Sequence, residues 1–153
     1  MSEPTNYLEL EGLIEARLQD RVVDQGSARA VYPAPDLAAL TESTIKLPAV
    51  GLHLRRERVA TGENGTVGNG QAQTATQEWQ ISVIAQNKRG AQAARDDAGA
   101  LIIEVIKALS GWRPAQYFPS LRRANAPGPT YNAGIQIYPL VYESTITVQG
   151  APT

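Results

Sequence analysis

The chain has 153 residues, of which 42% are hydrophobic and 19% charged, a size that fits one domain able to bury about 70% of its unfolded surface. Its 14 Lys and Arg against 15 Asp and Glu give a formal charge of -1, which disfavours bulk attraction to nucleic acid or acidic lipid. Cysteine is absent, so disulfide scaffolds and thiolate sites are excluded. No apolar run is long enough to span a bilayer and residues 1–5 do not form a signal peptide, so a soluble intracellular protein is expected.

The first periodic segment, residues 7–23, is predicted to be a long amphipathic helix. Asn6 is expected to cap its N-terminus, with Glu9 completing a capping box, and Gly26 to end it in a left-handed conformation. Its apolar residues recur at spacings of three and four and share one face: Leu10, Leu13, Ile14, Leu18 and Val22.

Shorter elements follow this helix. Residues 28–32 predict a brief strand that Pro33 and Pro35 end, and Asp36 is expected to cap a short helix that continues through Leu40. After Pro48, residues 49–60 predict a strand that carries three aliphatic residues on one side: Val50, Leu52 and Leu54.

A polar, glycine-rich stretch, residues 61–74, is predicted to be the flexible tip of a long hairpin. It reads TGENGTVGNGQAQT, and so few apolar residues cannot offset the entropy of ordering it within a core. The returning strand is predicted over 77–85, where four apolar residues alternate: Trp79, Ile81, Val83 and Ala85.

The second half of the chain predicts a long helix and then terminal strands. Residues 89–109 carry the widest apolar stripe, Gly111 is expected to end the helix, and Gly99 within it predicts close packing against another backbone. Residues 121–123 and 133–148 predict strands. The phase of the last segment changes around Pro139, which predicts a bulge or an edge position there.

These elements predict an α+β fold. A mostly antiparallel, mixed sheet with a long hairpin is expected to be flanked by two long helices and one short helix. A single domain is expected over residues 1–153, with its core at about 7–149 and the flexible tip at 61–74.

A search for catalytic or ligand-binding patterns gives little. His53 is the only histidine, and without cysteine or a second histidine it cannot form a usual zinc site or nucleophile–base pair. Asp96 and Asp97 are neighbours on a helix and point in different directions. The glycine-rich loop contains no lysine and matches neither phosphate-binding nor dinucleotide patterns. We therefore expect no enzyme, no cofactor and no metal.

Two groups of side chains remain. Arg55, Arg56 and Arg58 form a basic cluster, with Arg122 and Arg123 as further members, and strand alternation predicts Arg55 on one face and the other two on the face of Leu54. They suit either a solvated surface or a subunit interface with Arg–carboxylate pairs. Four aromatic residues on the strands favour core or interface packing over RNA binding: Trp79, Tyr131, Tyr138 and Tyr142.

Taken together, the layout resembles the tail terminator (tail-completion) proteins of long-tailed phages and phage-tail-like particles. The resemblance covers residues 7 to 149 and is one of overall pattern, without a diagnostic motif. Four stretches carry the resemblance. They are the opening helix Leu8–Val23, the segment Asp36–Leu40 followed by Leu47–Val50, the strand Gln77–Val83 followed by the helix Ala98–Leu109, and the last strand Tyr142–Val148.

The resemblance implies a structural virion protein that forms a hexameric ring, caps the tail tube, stops its polymerisation and presents a head-joining surface. It implies as partners further copies of the chain, the tail tube protein, a head-completion or connector protein and, in a contractile tail, the sheath, with no membrane and no sequence-specific nucleic acid. The location implied is the head-proximal end of the virion tail, after assembly in the host cytoplasm.

Two other functions stay open at this point: a tube or head–tail connector subunit of similar fold, and an RNA- or ligand-binding α+β module. For a ring protein, the hairpin is predicted to contact a neighbouring subunit or the tube. The residues predicted for that interface lie on the hairpin and the late strand: Arg55, Arg56, Arg58, Glu63, Asn64, Asn69, Glu78, Arg122 and Arg123.

Overall fold

The computed structural model describes residues 3–33, 46–60, 66–67, 72–86, 91–132 and 134–151. The predicted short helix at 36–40 and most of the predicted hairpin tip lie outside these ranges. Within them, no helix combines the length and the apolar character needed to cross a bilayer.

The opening helix consists of two parts. An α-helix, α1, spans Glu9–Leu18, and a π-helix spans Gln19–Val23. The buried residues recur every four positions: Leu10, Ile14, Leu18 and Val22. A spacing of four exceeds the 3.6 residues of an α-helical turn, so a straight α-helix would rotate Val22 away from the core. The wider π turn lets Val22 remain in it.

The ends of this helix differ in part from the prediction. The Asn6 side chain accepts a hydrogen bond from Leu8 N (2.8 Å) in a turn before the helix, and no side chain caps the helix start. The predicted capping box is wrong because the Glu9 carboxylate instead accepts a hydrogen bond from the Tyr117 hydroxyl. Gly26 has the expected positive φ of 86°.

In the described part of the chain, seven strands form one mixed sheet in the order β1-β2-β4-β7-β5, with β3 paired to β4 and β6 paired to β7. Only the β1–β2 pair is parallel among the described strands. The α+β prediction is therefore confirmed. The strand bounds are β1 Ala30–Pro33, β2 Ala49–Val59, β3 Thr66–Val67, β4 Ala72–Gln86, β5 Arg122–Ala124, β6 Thr130–Asn132 and β7 Ile135–Gln149.

The helices cover one face of this sheet, which we call the helix face. The second α-helix, α2, spans Ala91–Leu109. Gly111 follows it with a positive φ of 74°, as predicted for the residue that ends the helix. The core lies between the layers and includes Leu10, Ile14, Leu18, Leu52, Trp79, Ile81, Val83, Leu101, Val105, Leu109, Leu140, Tyr142 and Ile146. The alternation predicted for Trp79, Ile81, Val83 and Ala85 is confirmed, since all four lie in this core.

One backbone prediction is wrong, and one of the two alternatives predicted for Pro139 is confirmed. Gly99 is exposed, and a Cβ built there meets no described atom within 4 Å, so no close backbone approach accounts for it. β7 pairs with β4 without a register shift from Gln149 to Ile135, so Pro139 causes no bulge. On its other side, β7 pairs with β5 at residues 141–143 and with β6 at residues 135–137. Among the described strands, Pro139 therefore has no partner on that side, which is the predicted edge position.

Candidate interface site

A β-bulge in β2 determines which way the arginines point. Leu54 pairs with Trp79 and Arg56 pairs with Glu78, so Arg55 is an extra residue in the strand. One extra residue reverses the alternation of everything that follows it. Arg56 and Arg58 therefore lie on the face opposite Leu54 and Trp79, which we call the outer face. The prediction that they continue the face of Leu54 is wrong for this reason.

Glu78 is the carboxylate on which three arginines converge. Its Oε1 accepts a hydrogen bond from Arg55 Nη1 (3.1 Å), and its Oε2 accepts one from Arg56 Nε (2.7 Å) and one from Arg58 Nε (3.1 Å). The predicted separation of Arg55 from the other two is also wrong, since all three reach one carboxylate. Such charge-assisted bonds are what allows a carboxylate that is only 2% exposed to remain ionised.

A second carboxylate, Glu143 on β7, extends the cluster. It accepts a hydrogen bond from Arg58 Nη2 (2.9 Å) and a longer one from Arg122 Nη2 (3.4 Å). Strand register aligns these groups in a single row across four strands, because Arg56 pairs with Glu78, Glu78 with Glu143 and Glu143 with Arg122. Arg58 bridges the two glutamates in the middle of the row.

The arginines cover the carboxylates. The side chains of Glu78 and Glu143 are 3% and 16% exposed, whereas those of Arg56, Arg58 and Arg122 are 58%, 55% and 75% exposed. Solvent therefore meets guanidinium groups, with the negative charge beneath them. We call this surface, formed by Arg55, Arg56, Arg58 and Arg122, the arginine face.

The same geometry shifts the acidity of Glu78. Burial by itself raises the pKa of this carboxyl, but the hydrogen bond and charge of Arg56, followed by the charges of Arg58 and Arg55, outweigh burial and bring the pKa below its ordinary 4.5. Glu78 is therefore a carboxylate at neutral pH and holds the arginines in place.

The N-terminal segment crosses β2, β4 and β7 on the helix face. Gln77 Nε2 donates to the Tyr7 carbonyl (2.8 Å), the Tyr7 hydroxyl donates to Glu57 Oε2 (2.5 Å), and Gln149 N donates to Glu3 Oε2 (3.3 Å). Burial, followed by the hydrogen bond to Glu57, raises the pKa of Tyr7 to about 12. The segment and the arginine face thus lie on opposite sides of the sheet.

The other residues predicted for the interface are not among those that define the arginine face. Arg123 pairs with the buried Tyr142 and so lies on the helix side of its strand, away from Arg122. Glu63, Asn64 and Asn69 lie outside the described residues. Sequence reasoning missed Glu143, because a glutamate in a terminal strand has no local signal, and only the strand register brings it opposite Glu78.

The residues considered for chemistry do not converge. His53 pairs with Gln80 on the outer face, and Asp96 and Asp97 are exposed on α2. In the described part of the chain, no three His, Asp or Glu side chains are grouped so as to hold a metal ion. Trp79 and Tyr142 are fully buried and Tyr131 is exposed, so these aromatics do not form one stacking surface.

Comparison with known proteins points to one family. The model of the family described as "Phage tail terminator protein" matches residues 5–152. A chain in the solved structure titled "Virion of native gene transfer agent (GTA) particle" is similar with a TM-score of 0.56 and 18% sequence identity, covering 91% of this chain and 95% of that one. Among curated proteins, none matches this sequence. The chain belongs to the phage tail terminator family and is a structural protein of a virion tail.

Proposed function

We propose that this tail terminator protein forms a closed ring of six copies that caps the finished tail tube, ends its polymerisation and provides the surface for head joining. Family membership over residues 5–152 is the observation that carries the proposal. The ring would occupy the head-proximal end of the tail after assembly in the host cytoplasm. Its partners would be the tube protein, a head-completion or connector protein and, in a contractile tail, the sheath.

Open sheet edges support a ring rather than a symmetric dimer. β1 pairs with β2 only at Ala49–Leu52, and β5 pairs with β7 only at Val141–Glu143. Among the described strands, the outer edges of residues 53–59 of β2 and 144–149 of β7 therefore have no strand partner. These edges lie on opposite sides of the β2–β4–β7 unit. Contacts that join two different edges are heterologous, and such contacts close into rings or extend as filaments.

A tube or head–tail connector subunit of the same fold is the second candidate. The two open edges favour it equally, because a heterologous contact that does not close produces a filament. The distinction lies in position, since a terminator would occupy one end of the tube and a tube subunit its whole length. The residues proposed for contacts in either role are the arginine face with Glu78 beneath it, the hairpin residues Glu63, Asn64 and Asn69, and, on the opposite side of the sheet, Arg123.

Electron microscopy of tails assembled with a tagged chain tests the proposal. We expect the tag at one end of each tube, tubes of defined length, and a six-copy ring in native mass spectra recorded with tube present. Tubes assembled without the chain should grow longer and fail to join heads. A tag distributed along the tube would favour the tube subunit, and monomer alone in the presence of tube would contradict the ring.

A structural role further predicts that no side chain acts catalytically. Alanine at His53, Asp96 or Asp97 should each leave the yield of complete particles within about twofold of the parent, because surface substitutions usually change stability by under about 0.5 kcal/mol. Particle counts and thermal unfolding of each variant provide the measurement. Loss of particles from a variant that still folds would contradict a purely structural role.

A further inference from the structure

We infer that the arginine face of one copy binds the acidic N-terminal segment, residues 3–24, of a second copy. The inference rests on the proposed ring and names the two surfaces that would join its subunits. It is carried by charge, spacing and the placement of the two surfaces on opposite sides of the sheet.

The arginine face is prepared to bind carboxylates. Its four guanidinium groups exceed its two carboxylates by two charges, and both carboxylates lie beneath the arginines. Each guanidinium has five N–H donors, of which the bonds to Glu78 and Glu143 use one or two. Because Glu78 and Glu143 already fix the arginines, binding a further carboxylate orders little that was free.

The acidic segment supplies the complementary charge. Residues 3–24 contain six acidic side chains and two arginines, an excess of four negative charges in a chain whose total is -1. Within its own subunit, Arg17 donates to the Ala108 carbonyl and lies 5.2 Å from the Trp112 ring. Four carboxylates also have partners there, since Asp20 pairs with Arg21 and Glu3, Glu9 and Asp24 accept hydrogen bonds from Gln149, Tyr117 and Gln19. The acidic side chains are Glu3, Glu9, Glu11, Glu15, Asp20 and Asp24.

Spacing on the helix decides which carboxylates can act together. Glu11 and Asp20 are nine residues apart, so they point to opposite sides of the helix. Glu11 and Glu15 are four residues apart and share one side, at about 6 Å along the axis. The row from Arg56 to Arg122 crosses three strand spacings, about 14 Å, so a helix lying along it would bring both of these carboxylates near arginines.

The two surfaces cannot meet within one subunit. The acidic segment packs on the helix face through Leu10, Ile14 and Leu18, whereas the arginine face lies on the outer face. A contact between them must join two copies, and each copy then offers the unused surface to the next. The contact is heterologous and is compatible with a closed ring.

Charge excess also favours an acidic protein surface over nucleic acid. Nucleic-acid binding at physiological salt commonly uses about 6–10 phosphate contacts. An excess of two positive charges on a chain of net charge -1 is too small for that role, whereas an excess of four negative charges on a neighbouring copy matches its scale.

The test uses two charge-reversed proteins that retain the buried contacts. In Arg56→Glu with Arg122→Glu, Glu78 keeps Arg55 and Arg58, and Glu143 keeps Arg58. The second protein carries Glu11→Lys with Glu15→Lys, which lie on one side of the helix. A matched control for the first protein, Lys46→Glu with Arg95→Glu, makes the same charge change at exposed positions outside both surfaces. Ring formation on tail tubes is counted by electron microscopy, and thermal unfolding checks the fold of each variant.

Each reversed protein alone should form at least about tenfold fewer rings, because like charges across an interface cost several kcal/mol. An equal mixture of the two should restore rings, since alternating copies in a six-membered ring oppose only unlike charges. The control should assemble like the parent.

Three results would overturn the inference. The first is a reversed protein that assembles like the parent, and the second is a mixture that does not regain rings. The third is a parent protein that retains duplex DNA at 0.15 M salt in a filter-binding assay. Parent rings with an unrestored mixture would leave the proposed function intact while excluding the acidic segment as the occupant. A parent that forms no ring in the presence of tube would instead contradict the proposed function itself.

Discussion

Two glutamates face each other across neighbouring strands, and Arg58 is the residue that makes this arrangement stable. Glu78 pairs directly with Glu143, and like charges placed so are destabilising. Among the described residues, Arg56 forms an ion pair with Glu78 and Arg122 forms one with Glu143. Arg58 contacts both carboxylates, at 3.1 and 2.9 Å. The row is therefore held together from its middle.

Arg58→Gln should consequently cost more stability than Arg56→Gln. The first change leaves two opposed carboxylates without a shared partner, at a cost of about 2 kcal/mol, whereas the second removes one of three contacts to Glu78, at a cost of about 1 kcal/mol or less. The two arginines are almost equally exposed, so the pair is a matched comparison. Urea unfolding provides the free energies, and equal losses would contradict the bridging role.

Glu78 also predicts how stability depends on pH. Its folded-state pKa is lowered from 4.5, so its contribution is complete above the unfolded value and is lost as the pH falls through the folded value. Glu78→Gln should therefore be clearly less stable than the parent at neutral pH, with the difference shrinking below about pH 4.5. Urea titrations at several pH values measure this, and a difference independent of pH would contradict it.

The sequence was sufficient to find the arginines but not their arrangement. Composition and spacing single out Arg55, Arg56 and Arg58, because three arginines in four residues stand out in a chain of 19% charge. The convergence on Glu78 depends on a bulge that alternation alone does not reveal. Glu143 is 65 residues away from Glu78 in the chain, and only register joins them.

Among the elements, an irregularity in β2 and one in the first helix have a common effect. Arg55 is one residue more than a regular strand requires, and the π-helix Gln19–Val23 is wider than an α-helix. Each changes the side-chain phase at one point. In β2 the change moves Arg56 and Arg58 off the helix face, and in the helix it keeps Val22 in the core.

Deletion of Arg55 tests the bulge. The pairs Leu54 with Trp79 and Arg56 with Glu78 are consecutive on β4, so the shortened strand can keep every pair. We expect the fold to remain, with a loss of about 1–2 kcal/mol for the missing contact to Glu78. Urea unfolding and circular dichroism measure the outcome.

Deletion of His53 is the control, since it removes a residue from the regular part of the same strand. The bulge could absorb the gap only by turning Leu54 outward and Arg55 toward Trp79 and the core. Burying that charge without a partner should cost several kcal/mol and unfold the protein. Equal tolerance of both deletions would show that Arg55 is not the extra residue.

Predictions for whole elements succeeded where one face is buried. Trp79, Ile81 and Val83 alternate because β4 lies centrally against the helices, and burial imposes a period of two. The terminal strand was harder, because Ile135 and Ile137 lie on the outer face while Leu140 and Ile146 lie in the core. Apolar residues on both faces of a central strand imitate the phase change of a bulge.

For the molecule as a whole, the hairpin formed by β2 and β4 is the feature whose contribution to assembly can be tested most directly. Its arms are held by the pairs from Arg56 with Glu78 to Val59 with Ala75, and Ala60 N donates to the Thr74 carbonyl (2.9 Å). The sequence between these arms is polar and rich in glycine. Ordering such a segment costs entropy on binding, so the arms should contribute more to an interface than the tip.

Replacing residues 63–70 by a two-residue turn should therefore leave the free energy of unfolding within about 1 kcal/mol of the parent, since the closure entropy of a loop changes slowly with its length. Tail completion should fall only modestly, by about threefold, because the tip adds few contacts beyond their ordering cost. Arg56→Glu with Arg58→Glu, which changes the β2 arm, should reduce it at least about tenfold. Counts of head-joined tails, with unfolding curves for both proteins, decide the matter. If both variants assemble like the parent, or if both unfold the subunit, the hairpin is not an interface element. A larger loss of tail completion from the shortened tip than from the reversed arm would show that the tip contributes more to the interface than the arms do.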